Sequence, residues 1–351
     1  MYICRIMVYK EYIERVQKLT GHLYGSEEGR AIAVRLLQHF CGISAYEHLV
    51  EPYGAIAPEL LDLLESAAQQ AAAARPLQYI IGYQEFMGLK IQVEEGVLIP
   101  RPETEGLVLC VLEYINTLNL HSKEITQTKE GSIRILDAAT GSGCIAAVLA
   151  NKLNPGGARQ LDPKGSRQLN PGGAYQLNLG EALQIYAFDL SLKALEIASH
   201  NLHEAVKSQQ SSGSRELLSS VPGTTYSEGS ITLFQYNLLN SPNAFPYNEF
   251  DIIVSNPPYV LEGECTLMRA NVLDYEPAEA LFVPDEDPLC FYYALERLAS
   301  FALKPNGAIF MEINENLAEE SAAIFKKAEY CSVEILKDLF GKKRFVKSIR
   351  S

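Results

Sequence analysis

From about Lys10 to Ala74 apolar residues recur at helical spacing. Ile32, Leu36, Leu37 and Phe40 form one series, and Leu60, Leu61, Leu64, Ala67, Ala68 and Ala71 form another. Ser26 is placed to cap the first series, Gly42 stands where a C-terminal cap belongs, and Pro58 suits a first helical turn. The spacing predicts a small helical bundle. Between Arg75 and Arg101 the pattern changes to short apolar runs punctuated by Gly and Pro, as in Gln78-Tyr-Ile-Ile-Gly82 and Val97-Leu-Ile-Pro100. A hairpin or linker is expected there.

Beyond Gly131 β-rich runs alternate with helical ones. Strands are expected at Ile133–Asp137, Gln184–Asp189, Ile231–Tyr236, Phe250–Ser255, Ala308–Glu312, Val333–Lys337 and Phe345–Ile349. Such alternation predicts an α/β fold, a mainly parallel sheet with helices on both faces. Two insertions, at 153–178 and 207–230, interrupt it. The first holds three octapeptides over 153–176, opening Leu153-Asn-Pro-Gly, Leu161-Asp-Pro-Lys and Leu169-Asn-Pro-Gly. One Leu in each octapeptide cannot build a core and Pro-Gly breaks helix and strand alike, so a flexible surface loop is expected rather than a small solenoid. The second is rich in Ser and Gly and reads as flexible for that reason. The domains expected are a helical unit over 1–75, a hairpin or linker over 76–105, and an α/β unit over 106–351.

Composition narrows the function. The 351 residues carry 43 acidic against 30 basic side chains, a formal charge of −13. That balance argues against a large nucleic-acid footprint, so direct DNA binding is not expected. The seven cysteines are an odd number with no close pair. They fit neither a disulfide framework nor a zinc site, and a reduced, cytoplasmic setting is expected. His200 and His203 lie one helical turn apart without further ligands, so no metal is expected. Lys342, Lys343 and Arg344 read as a turn. No apolar run approaches the roughly 20 residues needed to span a bilayer, and no membrane association is expected.

Three motifs carry chemistry. In Ile133-Arg-Ile-Leu-Asp137-Ala-Ala-Thr-Gly141-Ser-Gly143-Cys-Ile-Ala146 a Gly-rich turn follows the first parallel strand, where a ligand meets backbone and helix N-terminus. The turn also satisfies a dinucleotide pattern, but Asp137 at the strand end favours the positively charged amino-acid end of S-adenosylmethionine over a pyrophosphate. In Ile185-Tyr-Ala-Phe-Asp189 an acid ends the second strand, placed to accept from both ribose hydroxyls of a nucleoside or to cap the following helix. The third motif is Phe250-Asp-Ile-Ile-Val-Ser-Asn256-Pro257-Pro258-Tyr259. The Asn256 side-chain oxygen and the Pro257 carbonyl form an acceptor pair for the two N–H groups of a planar amide or aromatic amine. Holding both protons turns the nitrogen lone pair towards a methyl donor. The prolines stiffen the turn, and Tyr259 is placed to stack on a planar target.

With these residues in hand, the chain resembles the peptide chain release factor N(5)-glutamine methyltransferases, the PrmC/HemK family. The likeness rests on Asn256 to Tyr259 combined with Arg75-Pro-Leu-Gln-Tyr-Ile-Ile-Gly82, Phe86-Met-Gly-Leu89, Val97-Leu-Ile-Pro-Arg-Pro-Glu-Thr-Glu105, Tyr275-Glu-Pro-Ala-Glu-Ala-Leu281 and Asp338-Leu-Phe-Gly-Lys-Lys-Arg344. It implies a Rossmann-like class I methyltransferase domain, a seven-stranded sheet with its last strand antiparallel, behind a small N-terminal helical domain that grips the release factor. It implies that Ala139, Thr140, Gly141, Ser142, Gly143, Asp189 and Leu238 line the S-adenosylmethionine site and that Asn256 touches both cofactor and substrate. Pro257, Pro258 and Tyr259 would complete a pocket for the glutamine of a Gly-Gly-Gln loop, with S-adenosylhomocysteine as the second product. Ala139 stands where the family often has Gly, Asn237 where an acid is common, and Leu238 where an aromatic covers adenine.

The rival readings are an adenine-N6 DNA methyltransferase, which needs a basic groove, and a ribosomal-protein glutamine methyltransferase. An NAD oxidoreductase would need an acid/base setting that is not evident. An inactive scaffold would bind cofactor without turnover.

Overall fold

The structure, a computed structural model, describes residues 7–125, 133–153, 183–207, 224–228 and 231–351. The octapeptides beyond Leu153, and most of the second expected insertion, lie outside the described residues. The chain forms two compact units. One holds the stretch ending at Tyr83 together with Met268–Glu276, and the other comprises Gln84–Leu267 and Pro277–Ser351.

The first unit contains α1 (Tyr9–Cys41), α2 (Glu47–Val50), α3 (Leu61–Ala72) and α4 (Leu77–Ile81). Gly25, at φ 74 and ψ 178, breaks α1 just before Ser26, and Gly42 ends it at φ 68. Either side of the break one face is buried: Tyr9, Tyr12, Ile13 and Val16, then Ile32, Ala33, Leu36 and Leu37. Those faces meet Leu64, Ala67, Ala68 and Ala71 of α3, so the helical periodicity in the sequence marks the core of this unit. Each fully buried Leu contributes roughly 2 kcal/mol by leaving water. The buried Tyr12 hydroxyl donates to the Leu64 carbonyl at 2.9 Å. Pro58 opens a 3₁₀ turn that runs into α3. Leu77–Ile81, expected within a hairpin or linker, is instead the helix α4, which buries Tyr79 and Ile81 and is capped by Gly82 with φ 84.

The hairpin β1 (Tyr83–Phe86) and β2 (Leu89–Gln92) follows, and the second unit starts at Gln84 within β1. Met87 and Gly88 between them have φ 47 and 83, the two left-handed residues of a tight turn matched to strand twist. Next come α5 (Pro102–Ile125), β3 (Ile133–Ala138), α6 (Cys144–Leu153), β4 (Leu183–Asp189), α7 (Leu192–Lys207), β5 (Thr224–Glu228), β6 (Ile231–Gln235) and β7 (Phe250–Ser255). After the short β8 (Val260–Leu261) the chain passes into the first unit with α8 (Ala270–Leu273) and returns at β9 (Phe282–Val283). It finishes with α9 (Cys290–Ala302), β10 (Leu303–Glu312), α10 (Ala318–Lys327), β11 (Ser332–Lys337) and β12 (Lys343–Ile349).

The main sheet has the order β11-β12-β10-β7-β3-β4-β6-β5. The pairs from β10 through β6 are parallel, and β12 runs antiparallel to both its neighbours. These are the seven strands expected, with β12, the last in the chain, antiparallel. Its central strands read as continuous apolar runs because helices cover both faces. An eighth strand, β5, lies antiparallel on the β6 edge, within a stretch expected to be a flexible insertion. The Ser- and Gly-rich composition hid Thr224-Thr-Tyr226, a β-branched and aromatic run suited to a strand. The chain moves outward from β3 through β4 to β6, then returns to β7 on the other side of β3. The switch point between β3 and β7 collects Asp137, Asp189, Ser255 and Glu312 at the carboxyl ends of parallel strands, where such sheets hold ligands.

Candidate active site

The turn after β3 is a compact backbone structure. Ala139, Gly141 and Gly143 have φ 56, 55 and 76, while Thr140 N donates to the Phe188 carbonyl at 2.9 Å and ties the turn to β4. Gly143 has a second reason to lack a side chain: a Cβ there would lie 2.8 Å from the Ala198 Cβ, so α6 and α7 could not approach as they do. Asn201 on α7 pins the arrangement. Its Nδ2 donates to the carbonyls of Ser142 at 2.8 Å and Gln92 at 3.0 Å, and its Oδ1 accepts from Gln92 N at 2.7 Å.

Asp137 is fully buried. Its Oδ2 accepts from Thr140 Oγ1 at 2.6 Å and from Ala146 N at 3.1 Å, whereas Oδ1 is buried without a hydrogen-bond partner. Burial pushes this carboxyl up to about 7; the nearby Asp189 adds to the shift, and the Thr140 and Ala146 donors oppose it. Asp189 is half-buried, and burial also raises it. Its Oδ2 accepts from Gly141 N at 2.8 Å and its Oδ1 from Ser191 N at 2.9 Å, which leaves each oxygen a further lone pair. The cap of α7 is Ser191, whose Oγ accepts from Ala194 N at 3.2 Å. Leu238 lies in the core cluster with Phe188, Phe234 and Phe245, with only 6 % of its surface open. The Asn237 side chain accepts from Leu239 N at 2.9 Å.

The strand β7 delivers the second turn to the same edge. Ser255 is paired with Ala138 across β7 and β3, and its Oγ donates to the Ala138 carbonyl at 2.8 Å. The residue after each, Asn256 and Ala139, therefore starts its turn beside the other. Asn256 Nδ2 donates to Thr104 Oγ1 at 3.0 Å, Thr104 Oγ1 donates to Glu312 Oε2 at 2.8 Å, and the Tyr259 hydroxyl donates to Glu312 Oε1 at 2.9 Å. Among the described residues nothing engages the Asn256 Oδ1 or the Pro257 carbonyl. Pro257 and Pro258 are buried. Leu98, Arg101, Asn256, Pro257, Tyr259 and Leu281 are among the residues lining a small cleft over this turn.

Glu312 is fully buried at the end of β10. Burial raises its pKa, while the Thr104 and Tyr259 donors and the Arg344 charge hold it down. Burial and then the Glu312 charge push the Tyr259 hydroxyl well up, so it serves as a donor. Asn314 Nδ2 donates to the Tyr259 carbonyl at 3.2 Å and fixes the far side of the turn.

Thr104, Glu312, Asn201 and Asn314 were not singled out in the sequence. Glu312 had a usable signal, an acid at the carboxyl end of the strand next to β7. Thr104 had none beyond its place in the run Val97 to Glu105. Of the basic trio, expected to form a turn, Lys343 and Arg344 instead open β12, and all three are paired with acids: Lys342 with Glu315, Lys343 with Glu319, and Arg344 with Asp338 and Glu315. Among the described residues no cluster of three or more His, Cys, Asp or Glu could hold a metal, and no helix is long and apolar enough to cross a membrane.

Residues 16–82 match the family model of the PrmC N-terminal domain. The chain is 33% identical over 330 residues to the release factor glutamine methyltransferase of Bacteroides thetaiotaomicron, covering 93% of this chain and 95% of that one. It is 32% identical over 341 residues to the protein of the same name from Flavobacterium psychrophilum, covering 97% and 99%. Among solved structures, a methyltransferase from Pyrococcus furiosus aligns at 16% identity and a TM-score of 0.44, over 80% of this chain and 99% of that one.

Proposed function

We propose that this chain, which belongs to the release factor glutamine methyltransferase family, transfers a methyl group from S-adenosylmethionine to the side-chain amide nitrogen of the glutamine in a release factor's Gly-Gly-Gln motif. The observation that carries the reading is the pairing of Ala138 with Ser255, which starts the glycine turn and the Asn-Pro-Pro-Tyr turn side by side.

The residues of the glycine turn fit the cofactor. Asp137 Oδ1, buried and unpartnered, suits a cation, and the spare lone pairs of Asp189 suit a ribose diol. The left-handed backbone at Ala139, Gly141 and Gly143 brings main chain rather than side chains to the ligand side. Thr140 and Ser142 hold the shape of the turn through Asp137 and Asn201. When bound, S-adenosylmethionine supplies an electrophilic methyl group and is left as S-adenosylhomocysteine.

The chain's own work is to aim the nucleophile. An amide nitrogen is weak because its lone pair is delocalised into the carbonyl. Asn256 Oδ1 and the Pro257 carbonyl accept its two protons, which orients the nitrogen and stabilises the positive charge that develops on it. With the donor bound, the oriented nitrogen would take the methyl carbon as the carbon–sulphur bond breaks, and its surplus proton would leave to water. The helical unit, which carries the PrmC N-terminal match, is assigned to release-factor recognition. The adenine reading draws no support from the basic trio, since each member is paired with an acid.

The test is mass spectrometry of a folded release factor incubated with this protein and S-adenosylmethionine. A single methyl gain on the Gly-Gly-Gln peptide, lost with Asn256→Ala while cofactor binding persists, is the expected result. Absence of the gain with demonstrated cofactor binding would overturn the substrate assignment.

A further inference from the structure

An asparagine side chain is useful to a target N–H only if its oxygen faces the target. Flipped, it would present two donors to a nitrogen that also carries donors, and the acceptor pair with Pro257 would be lost. Something must therefore fix which end of Asn256 points into the cleft.

The hydrogen-bond chain behind it does so by logic of donors and acceptors. Both oxygens of Glu312 stand as acceptors. Glu312 receives the Tyr259 hydroxyl proton on Oε1 and the Thr104 hydroxyl proton on Oε2. A threonine hydroxyl has one proton, so with that proton engaged Thr104 meets Asn256 as an acceptor and takes the Nδ2–H bond at 3.0 Å. Oδ1 is then left for the cleft. Thr104 and Glu312 are buried at 1% and 0% exposure, so no bulk water competes for these bonds.

We propose that Glu312, acting through Thr104, is a positioning residue that sets the polarity of the Asn256 amide and thereby makes the turn an acceptor for the target N–H. The proposal rests on the glutamine-methylation reading. It assigns a function to a buried carboxylate that no packing need explains: an apolar residue of similar volume would cost less to bury.

Three substitutions separate polarity from packing. Thr104→Val keeps the shape and removes the hydroxyl, whereas Thr104→Ser keeps the hydroxyl. Glu312→Gln keeps the shape but adds a donor, which can give to Thr104 and free the threonine proton for Asn256 Oδ1, the inverted chain. The expected result is a fall of about 100-fold in kcat for Thr104→Val and Glu312→Gln. Cofactor affinity and melting temperature should hold in both. Thr104→Ser should retain most of the native kcat. A Thr104→Val enzyme with near-native kcat overturns the proposal, as does a loss of activity that tracks lost cofactor affinity or lost stability.

A measurement independent of turnover keeps the two readings apart. The Asn256 side-chain amide protons, assigned by their absence in Asn256→Asp, should exchange slowly in the native protein and Thr104→Ser and rapidly in Thr104→Val. Equal exchange in all three overturns the positioning role even in an active enzyme. Slow native exchange in a protein that leaves release factors unmethylated upholds the positioning and refutes the substrate.

Discussion

The two turns at the switch point both rest on buried carboxylates, but they use them in opposite ways. At the glycine turn, Asp137 accepts from the Thr140 hydroxyl and Ala146 N, and Asp189 accepts from the backbone N–H groups of Gly141 and Ser191. They keep capacity in reserve: a partnerless buried Oδ1 on Asp137 and spare lone pairs on Asp189. At the Asn-Pro-Pro-Tyr turn, Glu312 is held by two side-chain hydroxyls, and the chain ends at Asn256, whose Nδ2 donates to Thr104. On the proposed function, one turn receives groups from a ligand and the other holds its own residue in a fixed orientation. Binding and orientation are thus assigned to different carboxylates, on strands either side of the switch point.

That division implies a crossed pattern of defects. Asp189→Asn exchanges a charged acceptor for a neutral amide that can accept on one atom only. A hydrogen bond to a charged group is worth about 1.5–3 kcal/mol, so cofactor affinity should fall roughly 10- to 100-fold. Turnover at saturating cofactor should stay close to native. Asn256→Ala should show the reverse. Calorimetric titration of the cofactor alongside initial rates at saturation reads both, and a saturating rate for Asp189→Asn as low as that of Asn256→Ala would merge the two turns into one unit.

A smaller effect sharpens the comparison from the Asp137 side. Its carboxyl ordinarily titrates near 3.8 and is raised to about 7 in the fold, chiefly by burial. The folded state therefore binds this proton more tightly than the unfolded chain does. The resulting stability is fully present below the unfolded value and is lost as pH rises towards the folded one. Urea denaturation of the cofactor-free protein should show its stability relative to Asp137→Asn declining from about pH 4 to about pH 7 and levelling off above. Saturating S-adenosylmethionine should flatten that decline, since a cation beside Oδ1 favours the ionised form. A pH-independent difference would mean that Asp137 is no more difficult to ionise in the fold than out of it.

The contrast between the turns also explains what the sequence could show. The glycine turn was legible because it is local: Asp137, Gly141 and Gly143 sit within one strand-turn-helix passage, and their spacing carries the geometry. Asn256 to Tyr259 were legible as a tetrapeptide for the same reason. Their support was not. Thr104 meets Asn256 across 152 residues and Glu312 across 208, and no periodicity links positions so far apart. The same limit applies to Asn201, which joins α7 to β2 across 109 residues. Among the elements, the seven core strands followed from alternating runs, whereas β5 was hidden by composition and α4 by its brevity. Tertiary contacts decide such short segments.

The smallest expected effect tests the one residue of the glycine turn that combines a side chain with a left-handed backbone. Ala139 has φ 56, a left-handed conformation that costs a residue with a Cβ roughly 1–2 kcal/mol. Glycine removes that strain but loses about 0.5–1 kcal/mol through the greater freedom of the unfolded chain. The two terms nearly cancel, and Ala139→Gly should stabilise the protein by at most about 1 kcal/mol, a rise of a few degrees in melting temperature. Removing the methyl also bares more backbone at the start of the turn, so cofactor affinity should hold or improve while the saturating rate is unchanged. The corresponding strain is absent from the other turn, where no residue from Asn256 to Tyr259 has a positive φ. A fall in melting temperature for Ala139→Gly would show that the alanine methyl packs usefully enough to outweigh its backbone cost, and that the cofactor turn has traded openness for stability.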